Sequence, residues 1–124
     1  MKLETFEAED IVIEVRGAKF TFQPASHQDV IFADTTNDYL ANDHAKISIS
    51  RDKCITHVFS KLKAVEGLEV NGEKADADKI RGIALKIQTA DLMPILLGWS
   101  IKVFEQHGII KAAGSEEKNG STKS

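Results

Sequence analysis

Residues 89–110 read TADLMPILLGWSIKVFEQHGII, and the shape of the rest of the chain depends on how much of this segment has to be covered. Its ends are marked. Thr89 is suited to cap a helix, Asp91 places a carboxylate where it favours the helix dipole, and Pro94 is expected in the first turn. Gly108 is suited to the left-handed position that closes a helix, with Ile109 folding back toward Phe104. Between these ends Leu92, Leu96, Trp99 and Val103 form one stripe at helical spacing. Met93, Leu97, Ile101 and Phe104 form a second beside it, and Ile95 lies on a third side. A helix that is apolar over so much of its circumference needs cover on more than one face. Its apolar run is roughly 13 residues long where a bilayer needs about 18 or more, and Lys102 and Glu105 interrupt it. The cover is therefore expected to be protein, from the same chain or from another.

The 124 residues suit a single domain over 1–110, followed by a polar stretch over 111–124, KAAGSEEKNGSTKS, expected to be a disordered tail or linker. A formal charge of −3 and the lack of a clustered basic face argue against a nucleic-acid binder. One cysteine, Cys54, permits no intramolecular disulfide and suits a reducing compartment. MKLETFEAED is acidic and has no apolar run, which is unlike a secretory signal, so the expected location is the cytoplasm.

Upstream of the long helix the pattern is mixed, and the expected class is α+β: an N-terminal β-hairpin, then a small, mostly helical bundle. Ile11, Ile13 and Val15 alternate with Val12, Glu14 and Arg16, and beyond Gly17-Ala18 so do Phe20 and Phe22 with their neighbours. A two-residue loop at Gly17-Ala18 would place Val15 opposite Phe20 and Ile13 opposite Phe22. Ser26 and Asp29 resemble a capping box opening a helix through HQDVIFADTTNDYLAN, irregular near Thr36. Ile47 and Ile49 suggest a short extended piece before a helix capped by Ser50. In that helix Cys54, Ile55, Val58, Phe59, Leu62 and Val65 form the apolar face, Lys61 and Lys63 lie outside, and Gly67 ends it. LEVNGEK, 68–74, reads as a loop, and Asp76 is suited to cap a further helix through ADKIRGIALKIQ.

Little of this points to catalysis. Cys54 and His57 are three apart and could form a nucleophile–base pair, but Cys54 lies on the apolar face, where a thiol acts as a small hydrophobe. His27, His44, His57 and His107 have no metal-ligand rhythm and read as surface residues. The eight glycines form no phosphate loop. HQDVIFADTTND could begin a helix-turn-helix, but no outward Arg or Asn in a basic setting follows it. No enzyme, cofactor or metal is expected. The remaining class is a protein-binding protein.

The layout resembles a family. A short N-terminal hairpin, the KFTFQPAS passage from strand to helix, the terminal DLMPILLGWSIKVFEQHG and a polar tail are similar, over about residues 6–110, to the tail assembly chaperones of long-tailed, non-contractile bacteriophages and prophages. The resemblance implies a non-enzymatic protein of the host cytoplasm that coats the tape measure protein before the tail tube forms. It also implies self-association, and a longer form, made by ribosomal frameshifting, that recruits the tail tube protein. No site residue is carried over from the family.

From the residues alone, client contacts are expected at Leu96, Trp99, Val103 and Phe104 on the terminal helix, with Ile11 and Val12 on the hairpin as second choice. Two alternatives stand beside this: a structural component kept in the virion, such as a head–tail connector or minor tail protein, and a small enzyme using Cys54 and His57.

Overall fold

The computed structural model describes residues 1–5, 9–41 and 48–110. Along them run β1 (Ile11–Val15), β2 (Ala18–Phe22), α1 (His27–Ala41), α2 (Ser48–Ser60), β3 (Leu62–Glu66), β4 (Glu69–Val70), β5 (Glu73–Lys74), α3 (Ala77–Ile83), a 3-10 turn (Ala84–Lys86) and α4 (Thr89–Gln106). The fold is α+β, with helices packed on one face of an antiparallel sheet of order β1-β2-β3. The expectations for His44, Ile47 and the 111–124 tail fall outside the described residues.

The hairpin forms with a different turn. Arg16 and Gly17 both have positive φ, 48° and 87°, the signature of a type I′ loop, and Val15 pairs with Ala18. Ile13 is therefore opposite Phe20, not Phe22, and Ile11 is opposite Phe22. The I′ turn needs two left-handed residues, and its twist matches that of the strands, so Arg16 is drawn into the turn and Ala18 into the strand. A shift of two residues keeps every side chain on its face. Ile11, Ile13, Phe20 and Phe22 all point into the core as the alternation predicts.

The sheet has a third strand that the helical spacing concealed. α2 stops at Ser60, and Leu62–Glu66 pairs with β2, Phe20 opposite Val65 and Phe22 opposite Leu62, with a bulge at Thr21/Phe22. Leu62 and Val65, three apart, fit a helical stripe, and it is the bulge that brings both to the core face of a strand. A lone hairpin is marginal in water, and the third strand removes that weakness. Gly67, φ +72°, ends this strand where a Cβ would lie 2.9 Å from Gly17 O. The expected 68–74 loop is a second small hairpin, with a type I′ turn at Asn71 (φ 53°) and Gly72 (φ 83°).

The helix ends follow local chemistry with some displacement. Asp76 caps α3, its Oδ1 accepting from Lys79 N–H at 2.9 Å. α2 begins at Ser48, so Ser50 is not its cap. Gln88, without a side-chain cap, precedes α4, and Thr89 is already helical. Pro94 therefore lies beyond the first turn and deprives the Ala90 carbonyl of its intrahelical donor, at a residue exposed to water. The far end closes as expected: Gly108 has φ +73°, its N–H bonds Glu105 O at 3.1 Å, and Ile109 N–H bonds Phe104 O at 2.9 Å, a Schellman pair.

α4 lies against β1 and α1. Its first stripe, Leu92, Leu96, Trp99 and Val103, is buried with Ile95 and Phe104. Of the second stripe, Leu97 and Ile101 remain 43% and 38% exposed. Gly98 faces the sheet, where a Cβ would come within 2.9 Å of Ile13 Cγ2. The absence of a side chain there lets α4 approach β1.

Candidate functional site

The residues expected to meet a client are mostly core. Leu96, Trp99, Val103, Phe104 and Ile11 are all buried by their own chain, Trp99 completely. The expectation of contacts there is corrected: β1 and α1 supply the cover that the apolar circumference of α4 required. Val12 alone of the six is exposed, on the outer face of the sheet.

Beneath α1 and α2 lies a buried polar cluster centred on Asp29. As the capping box predicts, Ser26 N–H donates to Asp29 Oδ2 at 2.9 Å and Asp29 N–H donates to Ser26 Oγ at 3.3 Å. The same carboxylate also accepts from Lys61 Nζ at 2.6 Å and from His57 Nε2 at 2.5 Å. Lys61 Nζ bonds Pro24 O at 3.1 Å as well. Burial raises the Asp29 pKa, but the hydrogen bonds from Lys61, His57 and the Ser26 backbone outweigh it and hold the group below its ordinary 3.8. The imidazole of His57 stacks on Phe32, centroids 4.0 Å apart and 8° from parallel, and meets Trp99 edge-on at 6.2 Å.

Cys54 and His57 do not assemble as a nucleophile and base. The Cys54 thiol is buried and directed at Phe32 O, 3.3 Å away, while the imidazole turns to Asp29. What the cluster does is tie α1 to the end of α2 through one carboxylate. Lys61, assigned to the outer face from its position, is largely buried against Asp29. The signal that could have found this is the carboxylate at the third position of the box, which needs a cation once its helix is packed inward. His27 and His107 lie with ring centroids 5.1 Å apart, and burial, with the nearby His27, lowers the His107 pKa.

Elsewhere the surface opens into a cleft of about 640 Å³ between the β1–β2 turn, the β4–β5 hairpin, α3 and the start of α4. Phe20, Phe59, Ile80 and Ile95 line it together with the half-buried Val15, Leu68, Val70, Ile83 and Ile87. Arg16, Glu69, Lys86 and Asp91 also line it, and Arg16 and Asp91 are ion-paired at 2.8 Å. An apolar floor with both signs of charge around it suits an amphipathic segment better than a small polar ligand. Ile80, Ile83 and Ile87 of this lining come from the expected ADKIRGIALKIQ helix segment, whereas the opposite wall is the β4–β5 hairpin, which reads in the sequence as a loop.

Among the described residues no group of three or more His, Cys, Asp or Glu is placed to hold a metal ion, and no helix is long and apolar enough to cross a membrane. Compared with protein-family models, with curated proteins and with solved structures, the chain matches none.

Proposed function

We propose that this chain is a non-enzymatic assembly chaperone of the phage-tail type, acting in the host cytoplasm, and that it holds its client in the cleft between the β4–β5 hairpin and α3. The identity of the client, a tape measure protein, rests on the family resemblance of the hairpin and the terminal helix. The observation that carries the binding role is the cleft itself. Half-buried aliphatic residues from Leu68 to Ile87 converge there without filling it, and the charges around it sit where a helical client would present its polar flanks. The exposed part of α4, Leu97 and Ile101, is the remaining apolar surface of the long helix and is separate from this cleft.

Co-expression with a helical tape measure segment is the test. A soluble complex is expected, and Ile87→Asp should abolish it while leaving the fold intact, because Ile87 is only half-buried. A complex unaffected by Ile87→Asp would move the client elsewhere, and no complex at all would remove the reading. The alternative of a virion component is separated by mass spectrometry of purified particles, in which a chaperone is absent.

A further inference from the structure

The geometry points to the open edge of β1 as a docking site for an extended segment of a different protein, aliphatic on one side and carrying a lysine or arginine on the other, which adds to the sheet as a fourth strand. β1 ends the order β1-β2-β3. Val15 and Ala18 close the two-residue turn as a hydrogen-bonded pair, so Ile11 and Ile13 bond to β2, and the N–H and C=O groups of Val12 and Glu14 point away from it. Among the described residues nothing bonds to these outward groups. A strand edge in this state is a template for another strand unless proline, lysine or a bulge blunts it, and IVIEV has none of the three.

A groove of about 310 Å³ lies beside that edge, between Asp10, Ile11 and Val12 on one side and Lys102, Glu105 and Gln106 of α4 on the other. Gln106 fixes one end of it by donating to Glu9 O at 2.8 Å. Lys102 and Glu105 are paired with each other at 3.7 Å, so the groove asks for no charge from its occupant. Gly98 brings α4 against Ile13, and one turn to either side Pro94 and Ile101 stand exposed on the flank of the helix that faces away from the core. Alternate side chains of an added strand point to opposite faces of the sheet. Those turned toward the helix layer meet Ile101, Pro94 and the groove, and so are aliphatic.

The outer face of the sheet sets the charge. Glu66, Lys19 and Glu14 are opposite one another in a row across the three strands, and Glu14 stands at the open end. Among the described residues Glu14 makes no ion pair. A lysine or arginine opposite it continues the alternation of the row, whereas a carboxylate would face its like. In the next row Val12, Thr21 and Ala64 favour a β-branched neighbour. The other charges nearby are committed, Asp10 to Lys63 and Arg16 to Asp91, both at 2.8 Å. A second copy of β1 therefore brings no available cation to Glu14, and the occupant is a segment of another protein. Val12, Glu14 and Ile101 do not line the cleft, so this site stands whether or not the cleft takes a client.

The test uses the full chain and a capped synthetic peptide, Thr-Val-Thr-Val-Lys-Val-Thr-Val-Thr, in an NMR titration with amide hydrogen exchange. Saturable binding below about 1 mM is expected, with the Val12 and Glu14 amides becoming protected. The same peptide with glutamate in place of its lysine, and one of the same composition with the alternation scrambled, should each bind about tenfold more weakly. Glu14→Lys should reverse the preference between the lysine and glutamate peptides. If that variant fails to fold, Glu14→Gln decides, with an expected loss of about threefold for the lysine peptide. No binding below 1 mM overturns the proposal, as does binding that leaves both amides exchanging freely. So do equal binding of the scrambled peptide and an affinity that Glu14→Gln leaves unchanged.

Discussion

Asp29 Oδ1 and His57 Nε2 lie 2.5 Å apart, joining α1 to α2 at a carboxylate that is completely buried. The same carboxylate holds Lys61, so one group caps a helix and neutralises a buried ammonium. Asp29→Asn keeps the shape and removes the charge. Loss of about 3 kcal/mol is expected in denaturant unfolding, because the Lys61 ammonium is left without its counter-ion.

That loss should depend on pH with a definite sign. The folded-state pKa of Asp29 lies below its ordinary 3.8, so in the acid range the unfolded chain binds the proton more readily than the folded one. The stabilisation is complete above about pH 5 and disappears as the pH falls through 3.8 toward the folded value. The stability difference between the native chain and Asp29→Asn should therefore shrink on acidification over that window, as measured by urea unfolding at a series of pH values.

Trp99 tests whether α4 is core. With the side chain fully buried, Trp99→Ala should cost about 3–5 kcal/mol of stability. Among the described residues the indole Nε1 is buried without a hydrogen-bond partner, so Trp99→Phe deletes an unsatisfied donor along with volume and should cost clearly less. Equal losses for the two variants would mean that the indole N–H is satisfied.

His107 is held below its ordinary 6.5 by burial and by its neighbour His27. Its depressed pKa contributes stability that is present above 6.5 and is lost as the pH falls through the folded value. Proton NMR titration should show His107 titrating below 6.5, and His27→Gln should bring its pKa back toward the ordinary value.

Where one residue type has one physical solution, the fold was legible in the sequence. Ser26 with Asp29, Asp76 before its helix, and Gly108 after Gln106 each satisfy orphan backbone groups in a single way, and all three do so. The alternation of Ile11, Ile13, Phe20 and Phe22 fixed the inner face even though the turn fell one residue earlier than expected. Leu62–Glu66 reads as helix because Leu62 and Val65 are three apart, a helical spacing that reaches one face of a strand only through the bulge at Thr21/Phe22. The Lys61–Asp29 pair was hidden for a related reason. A lysine assigned to an outer helix face lies instead just past the helix end, where the chain turns back under α1. The cleft depends on how distant elements meet, which local patterning does not specify.

The client-holding role is tested most directly by light scattering from a helical tape measure segment diluted out of denaturant. With an equimolar amount of this protein the scattering should be suppressed, and Ile87→Asp should restore it. Scattering that rises equally with and without the native protein would contradict the account.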